Sequence, residues 1–357
     1  IDDIIIEKNG KKYKRINSVF DCWYESGMAG IAKEGNDCHK YSYPVDFIAE
    51  SLDQTRGWFY TLNVLSTALY NKPAFKQVIV SGLILASDGM KMSKRLNNYT
   101  PPEELIKEYG ADVLRLYLLS SPATQAQEFR FTDSDLYVIT KKLLPFFHAH
   151  KMLNECIENL KIKNGQELVN EIDNFSSVDL LDLWLLNLTN KLDIDISKAV
   201  KSLELYKVPG LIFKYIDSLT NIWVKFSRDR LKSTDDKESL NSISTLYNIL
   251  LKVNIILSPF IPFNSEFLYN YVIYQKDNEV LDNKSIHLLK KENEQICDYQ
   301  IIESVDNMYN IIEIVRNARQ EIRNNTDRYL NSPIKSMTIY LPEVYRNKIN
   351  IYFDKYI

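Results

Sequence analysis

The 357-residue chain is poor in the residues that staple, ligate or anchor a protein. Its four cysteines (Cys22, Cys38, Cys156, Cys297) lie far apart with no paired spacing. That argues against a disulfide scaffold or a CxxC-type metal site and suits a reducing compartment. Of the four histidines, His39 and His287 stand alone. His148 and His150 are two apart on a predicted helix, so they point to different faces and make a poor metal pair. No protein-bound structural metal is predicted. The longest apolar runs, 78–86 and 255–263, are half of the roughly 18 residues a membrane span needs, so no membrane partner is expected. Neither charge sign dominates: 44 Lys+Arg against 47 Asp+Glu give −3, which excludes a uniformly basic nucleic-acid coat but leaves room for a local patch. Glycine is scarce too. Eight of the ten glycines fall in residues 1–110, and the others are Gly165 and Gly210. Glycine serves turns and close backbone approaches, so the early part should be rich in loops and the remainder helical.

What is present is globular in composition, at 45% hydrophobic and 25% charged, and long enough for two or three domains. The first residue is Ile1, not Met, and no charged-then-apolar leader follows it, which fits a longer chain cut at this point; a cytoplasmic location is expected. Val45–Ala49 reads as a short buried strand, Gln54–Tyr70 has helical length and spacing, and Val78–Leu85 is a second β-branched run. Strand, helix, strand within about 40 residues is a βαβ unit with a parallel sheet and a right-handed crossover. Ligands bind beyond the carboxyl ends of such strands, here residues 50–58 and 87–99. From Pro101 the spacing becomes helical, first over 101–109 and 111–119. Leu180, Leu181, Trp184, Leu185 and Leu188 form one apolar stripe, and Leu211, Tyr215, Ile216, Leu219 and Trp223 another. Breaks near 163–166, 208–210, 233–236 and 276–283 predict a bundle of four or five long helices, and 337–341 a short strand.

One segment carries chemistry. Lys91-Met92-Ser93-Lys94-Arg95 follows the second strand and is entered through Gly89. Two lysines bracketing a hydroxyl on such a loop can place two ammonium groups on a polyphosphate. When a carboxylate attacks the α-phosphate of ATP, charge builds on the transferring group and on the departing pyrophosphate. Preorganised cations stabilise that charge most in the transition state. A generic pair of lysines would instead be a solvated basic turn, but this pentapeptide is specific.

The loop resembles the KMSKS motif of class I aminoacyl-tRNA synthetases, and its surroundings are similar to the isoleucyl family of eukaryotic cytosolic type. The residues that carry this are Phe20-Asp-Cys-Trp-Tyr-Glu-Ser-Gly27, Asp46-Phe-Ile-Ala-Glu-Ser-Leu-Asp-Gln-Thr-Arg-Gly-Trp-Phe-Tyr60, Leu85–Arg95 and Tyr109-Gly-Ala-Asp-Val-Leu-Arg-Leu116. Further on, Leu219–Leu231 and Ser258-Pro-Phe-Ile-Pro-Phe263 look like the family's anticodon-binding helices. Valyl and leucyl relatives share the lysine loop and stay as alternatives. The resemblance implies an α/β fold followed by an all-α one: the second half of a Rossmann-type parallel nucleotide-binding sheet, then a helical-bundle anticodon-binding domain. It places the catalytic half with its lysine loop in residues 1–100, a helical connector in 101–135, the anticodon-binding bundle in 136–330 and the start of an extension in 331–357.

The implied function is ligation of isoleucine to its tRNA through an isoleucyl-adenylate, using ATP with Mg2+. Lys94 would contact the ATP phosphates, with Lys91 and Ser93 ordering the loop. Glu50, Asp53 and Gln54 would bind the adenylate, and Trp23 and Trp58 would wall the isoleucine pocket. Ser51 stands where the family has Gly, beside the adenylate. Read alone, each tryptophan would more often be core, Asp53 could cap the helix from Gln54, and Arg56 reads as structural. Lys225, Arg228, Arg230 and Lys232, interleaved with Trp223 and Phe226, form a candidate tRNA patch, and Arg316, Arg319 and Arg323 could extend it. Alternatively Trp223 lies in the core behind a solvated face. The family's His-Ile-Gly-His motif and editing insertion do not occur in this sequence. The expected partners are therefore tRNA(Ile), isoleucine, ATP and a missing amino-terminal part that completes the active site; the chain alone should be inactive. A non-catalytic tRNA-binding module is the reading from another class.

Overall fold

A computed structural model describes residues 2–33, 44–174, 177–277, 285–289 and 296–325. His39, Cys38, the expected strand at 337–341 and the extension 331–357 lie outside them. The chain divides into two compact units: residues 1–96 with 121–131, and residues 97–120 with 132–357. The segment 101–135, read from sequence as one connector, is thus shared between the two.

In the first unit, a hairpin of β1 (Ile5–Lys8) and β2 (Lys11–Lys14) precedes the short helices α1 (Cys22–Gly27) and α2 (Ala29–Ala32). The βαβ unit follows. Strand β3 (Val45–Ser51) pairs in parallel with β4 (Phe75–Ser81), and helix α3 (Trp58–Tyr70) connects them. Alternation puts Ile48 on the helix side, where it packs with Phe59, Leu62 and Ala74. The helix starts later than its apolar spacing predicts, because residues Leu52–Arg56 form a tighter 3-10 turn. It ends on Asn71, which adopts the left-handed conformation that asparagine tolerates best after glycine.

The second strand also ends early, at Ser81 rather than Leu85, and the cause is Gly82. A Cβ at this position would lie 1.8 Å from the carbonyl oxygen of Gln127, so only glycine lets the two backbones meet. The Gly82 N–H donates to the Ala123 carbonyl (2.7 Å). The chain then forms β5 (Ile84–Leu85), parallel to β6 (Phe129–Arg130).

The second unit is helical. Helices α4 (Pro102–Tyr109) and α5 (Ala111–Ser120) lead to α6 (Asp133–Asn164), α7 (Gln166–Asn170), α8 (Leu180–Lys201) and α9 (Val208–Asp217). A π-helical segment, Ser218–Val224, prolongs α9 into the short α10 (Arg228–Leu231). Then come α11 (Asp236–Leu257), α12 (Pro262–Asp277) and α13 (Tyr299–Asn325). Leu181, Trp184, Leu185, Ile216, Leu219 and Trp223 are fully buried or nearly so, so both predicted stripes face the core. Asp179 and Asp235 cap α8 and α11, accepting from the N–H groups of Leu181 (2.9 Å) and Lys237 (2.9 Å). The break at 258–261 was not among those expected. Arg115 of α5 holds this corner, donating to the carbonyls of Pro259 (3.0 Å) and Phe260 (3.2 Å). Asp112 accepts from the Asn264 N–H (2.6 Å) at the start of α12. Helix α11 is long and apolar enough to cross a membrane by length and composition, which short apolar runs did not reveal. It buries Ser242, Ser244, Thr245 and Asn254 along with its aliphatic residues and packs as a core helix of the bundle.

Candidate functional site

Because β3 and β4 are parallel, their carboxyl ends share one edge of the sheet, with Ser51 opposite Ser81. The acidic segment leaves from this edge at the end of β3, whereas the lysine loop leaves from β5, which pairs in parallel with β6. Glu50 is exposed near the end of β3 and accepts from its neighbour's N–H (Ser51, 3.3 Å), its one hydrogen-bond partner among the described residues. Ser51 has ordinary extended backbone (φ −73°, ψ 159°), so nothing in its conformation requires the glycine that the family has there.

Asp53 and Gln54 sit in the 3-10 turn, Asp53 exposed and Gln54 half-buried. Asp53 does not cap the helix. Gln54 does so instead: its side-chain oxygen accepts from the Trp58 N–H (3.0 Å), where no N-cap side chain is available because the preceding residue is Gly57. A Cβ on Gly57 would stand 2.8 Å from that oxygen, so the glycine makes room for the bond.

The two tryptophans belong to packed helices. Asp21 caps α1 by accepting from the N–H groups of Trp23 (2.9 Å) and Tyr24 (3.1 Å). Helix α1 lies against α3 at Gly27, where a Cβ would meet Leu65 at 2.8 Å and Thr61 at 3.1 Å. The Trp58 indole N–H donates to the Ser26 carbonyl (3.1 Å), which ties the start of α3 to the end of α1. Trp58 is half-buried beside the Ile48 core, whereas Trp23 is 46% exposed. Trp58 therefore has a structural bond of its own, and Trp23 presents much of its ring to the outside.

The lysine loop is a pinned turn. The Ala86 N–H donates to Met90 O (2.9 Å) and Gly89 N–H to Ala86 O (2.8 Å), while Asp88 accepts from the Met90 N–H (2.8 Å). Lys91 thereby returns antiparallel to Leu85. Gly89 adopts φ +83°, a left-handed conformation, and a Cβ there would lie 3.2 Å from the guanidinium of Arg130. Lys91 and Lys94 are exposed and Ser93 half-buried. Lys94 has no hydrogen bond or ion pair to any described residue, so its ammonium is available to an external anion. Sequence reasoning missed Arg130 and the Gln127 backbone, about 40 residues downstream. Nothing local marks them; the β5–β6 pairing alone brings them to the loop.

In the second unit, Lys225, Arg228 and Lys232 are exposed. Arg230 is a correction to the candidate patch. Its guanidinium is buried and makes a bidentate pair with Asp182 (Nη1 to Oδ1 3.0 Å, Nη2 to Oδ2 2.6 Å), with Asp179 a further 3.2 Å away. Its charge is spent inside the bundle and does not reach an external phosphate. Trp223 is fully buried and its indole N–H donates to Asp182 (2.9 Å), so the core reading holds for this residue. Arg316 pairs with Glu313 (2.8 Å). The side chain of Arg323 lies outside the described residues.

Burial shifts several groups in this unit. His150, sealed between Phe146 O (2.8 Å to Nδ1) and Asn254 Nδ2 (2.9 Å to Nε2), is lowered to about 4. The Cys156 thiol is pushed up to about 11 and Asp112 is raised, both chiefly by desolvation. No group of three or more His, Cys, Asp or Glu side chains is placed to hold a metal among the described residues.

Residues 1–130 match the family of tRNA synthetases class I (I, L, M and V), and residues 182–331 match the anticodon-binding domain of tRNA ligase. The chain belongs to the class I aminoacyl-tRNA synthetases. Among curated relatives of this synthetase chain, the cytoplasmic isoleucine–tRNA ligase of Arabidopsis thaliana is 39% identical over 340 residues, 92% of this chain and 28% of that protein. The isoleucine–tRNA ligase of Protochlamydia amoebophila is 42% identical over 75% of this chain and 26% of its own length. The cytoplasmic isoleucine–tRNA ligase of Mus musculus is 37% identical over 91% and 26%. The synthetase chain thus spans about a third or less of the length of these relatives. Solved structures share the fold. A LeuRS of Agrobacterium radiobacter in a ternary complex with tRNA and LeuAMS gives a TM-score of 0.58 at 16% identity, covering 83% of this chain and 35% of that one. The methionyl-tRNA synthetase of Mycobacterium tuberculosis, in complex with methionyl-adenylate, gives 0.53 at 15%, covering 73% and 53%.

Proposed function

We propose that this chain is the carboxyl-side portion of a cytoplasmic isoleucine–tRNA ligase and carries one half of its adenylate-forming site together with its anticodon-binding bundle. The observation that carries the reading is the lysine loop, a turn pinned by its own backbone bonds that leaves the exposed Lys94 ammonium available to an anion. It follows β5, and the acidic turn at Glu50–Gln54 follows β3, so each segment leaves the carboxyl end of a strand paired in parallel. The names of the relatives supply the amino acid.

In the first step the isoleucine carboxylate attacks the α-phosphorus of ATP, brought as its Mg2+ complex. The bond to the β-phosphate oxygen breaks and pyrophosphate leaves. Lys94 meets the negative charge that grows on the phosphates, and Lys91 and Ser93 hold the loop as it closes. Glu50 and Asp53 supply acceptors for the ammonium and ribose hydroxyls of the adenylate. Gln54 contributes through its amide N–H2, since its oxygen is engaged by Trp58. Trp23 offers the ring face for the aliphatic side chain, and Trp58 stiffens the wall from behind. In the second step a terminal ribose hydroxyl of tRNA(Ile) attacks the acyl carbonyl and AMP leaves. Lys225, Arg228 and Lys232 are the remaining candidates to hold RNA phosphates on the bundle.

The test joins this chain to the amino-terminal portion of a similar isoleucine–tRNA ligase and measures amino-acid-dependent exchange of pyrophosphate into ATP. Isoleucine should support exchange above leucine and valine. Exchange driven best by leucine or valine contradicts the assignment, and none with any amino acid favours a binding module.

A further inference from the structure

The side chain with the densest set of buried bonds near the basic segment is a carboxylate, Asp182, on the first turn of α8. It is completely sealed from solvent, yet no oxygen lacks a donor. Arg230 donates to both oxygens (3.0 and 2.6 Å), the Trp223 indole adds a third bond (2.9 Å), and the Ser177 hydroxyl a fourth. A buried carboxylate with this many donors is a strong, direction-specific anchor, and breaking one partner away leaves an uncompensated charge.

Its two main partners bracket the exposed cations. Trp223 lies five residues before Arg228, and Arg230 two residues after it. Trp223 is also inside the π-helical segment Ser218–Val224, where the backbone carries a wider turn than an α-helix. Such a segment can relax to regular helix by slipping one residue, and one residue of slip turns everything downstream by about 100°. Trp223 and Arg230, both held by Asp182, oppose that slip. Lys232 is exposed too but lies beyond Arg230, outside the bracketed stretch.

We propose that Asp182 is a positioning residue for RNA binding. By gripping Trp223 and Arg230 on the inside of the bundle, it fixes the face on which Lys225 and Arg228 meet the tRNA backbone. This rests on the tRNA-binding part of the function proposed above.

The test measures binding of an isoleucine-accepting tRNA transcript to the 357-residue chain as a function of salt. Each lost phosphate contact should flatten the plot of log K against log salt by about 0.7 to 0.9. Lys225→Ala/Arg228→Ala should therefore flatten it by about 1.5. Trp223→Phe keeps an aromatic ring in the core while removing the indole donor together with part of the ring volume; it should flatten the plot by about 1 with unchanged helical circular dichroism. Arg230→Lys serves as a second anchor variant in the same direction. Adding Trp223→Phe to the double alanine variant should flatten it no further, because the cations it positions are already gone. A wild-type slope in Trp223→Phe and Arg230→Lys, or full additivity with the alanine pair, overturns the positioning role while leaving the RNA surface intact. If the alanine pair itself leaves the slope unchanged, the RNA-facing reading of this segment fails and the positioning role falls with it.

Discussion

The buried His150 makes stability depend on acid in a way that can be worked out. In the unfolded chain the imidazole titrates near 6.5, and in the folded bundle it is lowered to about 4 by burial. The unfolded state therefore binds the proton first. The stabilisation is complete above pH 6.5 and is lost as the pH falls from there through 4. A gap of about 2.5 units corresponds to a ceiling of about 3.4 kcal/mol, of which about 2 kcal/mol is lost by pH 5 and about 3 kcal/mol by pH 4. The hydrogen bonds fix the neutral tautomer: Nδ1–H donates to Phe146 O and Nε2 accepts from the Asn254 amide. Protonation at Nε2 would set a donor against that amide's own N–H. The assay is urea unfolding at pH 7 and pH 5 for the wild type and His150→Gln. Asp112 and Asp306, raised by burial, pull the other way as the pH falls, but they act in both proteins and cancel in the comparison. The wild type should lose about 2 kcal/mol more than the variant between the two pH values. Equal losses would refute the claim that His150 is buried neutral.

Two further substitutions test the backbone geometry of the first unit. Gly82→Ala forces a Cβ to within 1.8 Å of a fixed carbonyl, so it should cost about 3 kcal/mol or more, read as a lower urea midpoint. Gln54→Ala removes the cap of α3 and should cost about 1 kcal/mol by the same measurement, while Asp53→Ala should cost much less.

The parts of the molecule legible in the sequence were those written in local pattern. The apolar runs at 45–49 and 78–85 announced a parallel pair, and the three- and four-residue spacing of Leu181, Trp184 and Leu185 announced the buried face of α8. The lysine pentapeptide was legible because its residue types are specific. What escaped were contacts between segments far apart in the chain. Gly82 ends β4 because of Gln127, Gly89 lies under Arg130, and Arg115 reaches the corner at Pro259. Arg230 escaped for a related reason: a basic run looks solvated until a buried acid 48 residues away is brought beside one member. Asp53 against Gln54 is the opposite case, where capping preference favoured the shorter side chain but the 3-10 turn put the longer one in reach of Trp58.

The most direct measurement is the effect of Lys94→Ala on isoleucine-dependent pyrophosphate exchange, made in this chain joined to the amino-terminal portion of a similar ligase. The exposed Lys72→Ala serves as a control of equal charge change. A cation aimed at charge that develops only in the transition state should be worth about 100-fold or more in rate, so exchange should fall by that factor in Lys94→Ala and hold in the control. Exchange at the wild-type rate without the Lys94 ammonium would contradict the account.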